Sequence, residues 1–173
     1  MSLHAMIIPA CENMLRNLAG ELAKSAGWAR ENGMLESELL AKRLAPDMFP
    51  LVTQVNFTCH QAREAIARLK GETVPAMPEE QSLSGLSGLI EDTLNLLSET
   101  SPADIDGAAE KTIRLDLPNG IAFEMTGFEY VRDWATAQFY FHRMTAYAIL
   151  RQTGIPLGKA DYVAHALKYI KAK

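Results

Sequence analysis

The chain has 173 residues, 48% hydrophobic and 22% charged, with a net charge of −4. That describes one globular domain over residues 1–173 and excludes a disordered polyampholyte and a generally basic nucleic-acid binder. No run of ~18 apolar residues offers a membrane span, Met1–Asn13 lacks the basic start of a signal peptide, and Cys11 and Cys59 form no Cys-x-x-Cys pair, so a cytoplasmic protein in a reducing compartment is predicted.

The first helix covers most of residues 3–31. Ile8, Cys11, Leu15, Leu18, Leu22, Ser25 and Ala29 step by three and four, as a buried helical face requires. Pro9 leaves two starts open, one near Pro9 itself and one at Ser2 with an early kink. Residues 35–44 suit a short helix, and a loop with two prolines, Pro46 and Pro50, follows; Asp47 there is placed to cap the next helix or order its loop. The second long helix runs from about Leu51 to Lys70 and stops at Gly71, with Val52, Val55, Cys59, Ala62, Ile66 and Leu69 forming a bundle seam. The third runs from about Leu83 to Ser98 behind Ser82 as N-cap. Residues 72–110 hold nine acids and no Lys or Arg, which reads as a solvated acidic face.

The period then changes. Ile113, Leu115 and Leu117 alternate with polar residues, as do Ile121, Phe123 and Met125, and Pro118-Asn119-Gly120 lies between, which predicts a β-hairpin. Thr126 and Glu129 form a capping box for a fourth long helix reaching Thr153. Val131, Ala135, Gln138, His142, Thr145 and Ile149 make one line on it; Tyr130, Trp134, Ala137, Phe141, Met144 and Ala148 make a second apolar line. Arg132, Thr136, Tyr140, Arg143, Tyr147 and Arg151 are left to face outward. Asp161 is placed to cap a final short helix ending in Lys168, Lys171 and Lys173, where His165 is expected to be solvated. The predicted fold is an all-α antiparallel four-helix bundle with a β-hairpin inserted between helices three and four. So apolar a fourth helix belongs at a bundle centre or an oligomer interface, and a two-fold homodimer is predicted.

Gln138 and His142 are four apart on an apolar line, so they stack on one face about 6 Å apart at Cβ. Two buried polar side chains require partners. A metal is one, since imidazole nitrogen and amide oxygen both offer lone pairs; hydrogen bonds to other helices that fix bundle register are the other. His60 on the second helix lies roughly 130° from the centre of its apolar stripe, a surface or interface position. Cys11 and Cys59 sit on core stripes and read as small hydrophobes. No glycine-rich phosphate loop, Gly-x-Ser-x-Gly elbow or His-Glu-x-x-His occurs.

Three stretches carry a resemblance: Arg43-Leu44-Ala45-Pro46-Asp47-Met48-Phe49, Lys111-Thr112-Ile113-Arg114-Leu115, and Phe139-Tyr140-Phe141-His142 through Thr145-Ala146-Tyr147 to Gly154-Ile155-Pro156-Leu157-Gly158-Lys159. In these the chain resembles the DinB/YfiT-like superfamily, in a bacterial branch known only as a domain of unknown function. The resemblance implies a bundle, often dimeric, in which one His on helix two joins a His-x-x-x-His pair on helix four around nickel, zinc or a similar divalent ion. Carried over, the set would be His60, Gln138 and His142, with Gln138 in place of the first histidine of the pair. Two functions compete. One is a small-ligand-binding or self-associating module, free of cofactor, with a vestigial metal site. The other is a divalent-metal-dependent enzyme, a thiol S-transferase or hydrolase acting on a small molecule. No nucleic-acid or membrane partner is expected.

Overall fold

Helix α1 covers Leu3–Glu31 and takes the earlier of the two starts. Ser2 caps it, its Oγ accepting from the Ala5 N–H at 3.0 Å. Asp106, a hundred residues on, accepts from Ser2 Oγ at 3.2 Å and from the His4 N–H at 2.8 Å. These bonds satisfy backbone donors that a helix start leaves unpaired, so Pro9 sits inside the helix instead of beginning it. The structure, a computed structural model, describes residues 2–117 and 119–171. Pro118 of the expected turn and Lys173 of the expected basic end lie outside the described residues.

A short helix α2 (Glu36–Leu40) precedes α3 (Leu51–Lys70), which ends at Gly71 in the left-handed conformation, φ 77°. Among the described residues no side chain caps α3: Asp47 does not serve, and the Leu51 N–H donates instead to the Lys42 carbonyl at 2.8 Å. Helix α4 (Leu83–Glu99) starts on Ser82, whose Oγ accepts from the Gly85 N–H at 3.0 Å. Helix α5 (Pro102–Ile105) and a 3-10 turn lead to β1 (Thr112–Asp116) and β2 (Ala122–Thr126), an antiparallel pair with Ile113 opposite Met125 and Leu115 opposite Phe123. Only β1 buries its alternating residues. On β2 the expected inward set is largely exposed, because the sheet has two strands and Phe123 leans on Trp134 at 5.1 Å instead of entering the core.

Thr126 is both the last residue of β2 and the cap of the next helix. It pairs with Thr112, and its Oγ1 accepts from the Glu129 N–H at 3.2 Å while the Glu129 carboxylate accepts from the Thr126 N–H at 2.9 Å. The expected continuous helix is in three parts: α6 (Gly127–Glu129), a π-helical stretch Tyr130–Ala135, and α7 (Thr136–Gln152). Helix α8 (Lys159–Tyr162) and a 3-10 helix Ala164–Tyr169 finish the described chain. Helix α1 packs against α4 and α7, and α3 packs against α4 and α7. Their shared interior holds Leu15, Leu18, Leu51, Val55, Cys59, Leu86, Phe139 and Ala146. No helix among the described residues is long and apolar enough to cross a membrane.

The π-helical stretch changes which face of the fourth helix is buried. A π turn holds more residues than an α turn, so a wheel drawn at a constant 100° loses register across it. Tyr130 is buried and Arg132 exposed, whereas beyond the stretch Ala137, Phe141 and Met144 of the second apolar line face out. Arg143, expected outward, is fully buried. The line through His142 keeps its expected place: Val131, Ala135, His142, Thr145 and Ile149 are all buried, and Gln138 is half-buried.

Candidate functional site

Helix α7 presents His142 to α3, where Gln54 and Phe57 receive it. His142 Nδ1 lies 2.8 Å from Gln54 Oε1, and the imidazole stacks on the Phe57 ring with centroids 4.5 Å apart and 11° between planes. Phe141 meets it edge-on at 5.1 Å. The Gln54 side chain is oriented in turn by its Nε2, which donates to the Phe49 carbonyl at 3.2 Å. With Nε2 of the amide committed to a carbonyl, Oε1 is the atom facing His142, so the proton of the neutral ring sits on Nδ1. Nε2 of His142 then carries the lone pair. Burial against these rings holds the imidazole neutral, its pKa pushed down to about 4.

Among the described residues no hydrogen bond joins His60, Gln138 and His142 to one another. Gln138 lies a turn before His142, lining a shallow surface with Ala137 and Phe141. His60 is on α3, three residues after Phe57. Its Nε2 lies 3.5 Å from the Glu64 carboxylate, which also binds Arg68 at 2.7 Å, and its Nδ1 is buried with no partner among the described residues. Burial lowers the His60 pKa, and the Glu64 charge partly restores it. Among the described residues, no three His, Cys, Asp or Glu side chains gather in a metal-binding arrangement. One nitrogen of His142 is held by Gln54. His60, Gln138 and His142 would offer two imidazoles and one neutral amide, a weaker donor set than the three imidazoles that the resemblance implies. Cys11 and Cys59 are buried and free, and burial pushes both thiols up to about 12, so neither is a thiolate nucleophile near neutral pH.

A second polar centre escaped the sequence reading. Arg143, on the same helix, donates from Nη2 to the Glu21 carboxylate at 2.7 Å and from Nε to the Met14 carbonyl at 3.1 Å, with both side chains of the pair buried. Its guanidinium also lies over the Tyr162 ring, 4.5 Å from the centroid. Burial raises the Glu21 pKa, and the bond and charge of Arg143 pull it back. A signal was available: Phe139, Arg143, Ala146 and Leu150 step by four, three and four, so an arginine stands within an apolar stripe.

A family model described as a domain of unknown function, DUF1993, matches residues 3–163. The chain is also similar to a solved structure, a DinB family member protein from Shewanella denitrificans. The two share 35% sequence identity and a TM-score of 0.84, over 93% of this chain and 91% of that one. Among curated proteins none matches.

Proposed function

The chain belongs to the DUF1993 family and is DinB-like, and on that premise we propose that it is a self-associating helical module whose ancestral metal position has become a structural histidine. The long helices are read as an antiparallel four-helix bundle, and the working form as a cytoplasmic homodimer. One observation carries the reading: α7 turns Ala137, Phe141 and Met144 outward beside a neutral His142, with Phe141 57% and Met144 47% exposed. An apolar line of this kind on a helix is costly to leave in water. A second copy suits it, because the line carries no charge between Ala137 and Met144. A two-fold axis can therefore set the same residues against themselves without like-charge contact. Light scattering at micromolar concentration is the test. A dimer that becomes a monomer in Phe141→Glu supports the reading; a wild-type species of single-chain mass overturns it.

A small apolar ligand is a compatible occupant of the groove beside this face, about 300 Å³ between Phe49, Phe57, Met77 and Pro78. The metal-dependent enzyme is favoured by one feature, the lone pair on His142 Nε2. Calorimetry with nickel and zinc separates the two. Equal heats for wild type and His142→Ala support the metal-free module, and a micromolar affinity lost in that variant revives the enzyme.

A further inference from the structure

The segment that follows α7 folds back along α1 as a strap. Asp161 forms an ion pair with Lys24, Asn17 Nδ2 donates to the Tyr162 carbonyl at 2.8 Å, and the same nitrogen lies 2.8 Å from His165 Nδ1. The Tyr162 ring is held between Arg143 and Tyr147, with 5.2 Å between the tyrosine centroids. Beyond His165 the strap holds little: Leu167, Tyr169 and Ile170 are exposed.

The Tyr162 carbonyl settles the chemistry of the Asn17 contact. A carbonyl can only accept, so the Asn17 atom facing it is the amide nitrogen, and that NH₂ group points its second hydrogen at His165. His165 Nδ1 must accept, and it can do so only while unprotonated. Protonation would set an N–H against an N–H. We propose that His165 is a proton-operated release for the C-terminal strap: the neutral ring closes it onto α1, and the imidazolium opens it, baring Tyr162 and the buried Arg143–Glu21 pair.

Among the described residues no carboxylate lies within ion-pair distance of His165. The charged and titratable groups around the strap include Arg16, Glu21 and Lys24 from α1, Tyr140, Arg143 and Tyr147 from α7, and Lys159, Asp161, Tyr162 and Lys168 from the strap itself. Glu21 binds Arg143 through Oε1, while its Oε2 is buried without a partner among the described residues; Asp161 is paired with Lys24, and Arg16 has Glu12 at 3.8 Å. The Lys24 bond also holds the Asp161 carboxyl below its usual range, so that ion pair persists where histidine titrates. A protonated Nδ1 cannot accept from Asn17, so acidification opens the strap, by at most about tenfold in the closed-to-open ratio per pH unit.

The test is ¹⁵N relaxation on the full chain at about pH 7.5 and about pH 5.5, on either side of the ordinary histidine range. Amides of residues 159–170 should be rigid at the higher pH and mobile at the lower, with a midpoint matching the His165 ring-proton titration. In His165→Ala the pH dependence should vanish. In Asn17→Asp its sign should reverse, because a carboxylate at that position attracts the imidazolium. A strap equally ordered at both pH values in wild type overturns the proposal. So does a transition that persists in His165→Ala, which would assign it to Glu21 instead.

Discussion

Glu21 and Arg143 respond differently to losing one another, because only the carboxyl can shed its charge. Arginine stays protonated at any ordinary pH. Glu21→Gln therefore leaves a buried cation unpaired and should cost about 3–5 kcal/mol. Arg143→Met leaves a carboxyl that burial already pushes toward the neutral form, so it should cost less. The Arg143→Met deficit should also shrink as pH falls from neutral toward about 4, where the unfolded chain too binds that proton. Urea midpoints of the two variants across pH check both statements. His142 gives a signed pH effect of its own. Its folded pKa is about 4, below the ~6.5 of an unfolded histidine, so the unfolded state binds the proton first. Its contribution is complete above about pH 6.5 and is lost as pH falls toward about 4. His142→Gln, which keeps a donor for Gln54, should lose less stability over that window than wild type does.

At the scale of elements, the joint between β2 and α6 holds the hairpin to the helices. Thr126→Ala removes a cap worth ~1 kcal/mol and should lower the denaturation midpoint accordingly. Gly127 beside it is needed for close approach: a Cβ there would lie 2.1 Å from the Ala108 carbonyl oxygen, while the Gly127 N–H donates to the Lys111 carbonyl at 2.9 Å. Backbone cannot yield as a side-chain tip can, so Gly127→Ala should destabilise by about 1–3 kcal/mol, more than the loss of the neighbouring cap. The capping box was legible because it is local, a Thr and a Glu three residues apart. The glycine's role was not, since the carbonyl it meets belongs to a turn that only folding brings near. The π-helical stretch was equally hidden. Thr136 Oγ1 bonds the Val131 carbonyl at 2.6 Å, five residues back, and no residue in that run announces such a turn.

For the molecule as a whole, the lesson lies in what could be read from short range. The α3 stripe from Val52 to Leu69, the Ser82 cap, the stop at Gly71 and the hairpin alternation were all determined by the sequence itself. Each depends on contacts within a turn or two of chain, and spacing encodes those directly. The burial of His142 and its family resemblance were legible as well, on the line from Val131 to Ile149. Its partner was not: Gln54 is 88 residues away and became the neighbour of His142 only when α3 docked on α7. The early start of α1 was decided by Asp106, the burial of Arg143 by Glu21, and the outward turn of Phe141 and Met144 by the π-helical stretch upstream. In each case a polar or conformational demand was met by an element distant in sequence, and a free energy shared between distant elements leaves no periodic trace in either.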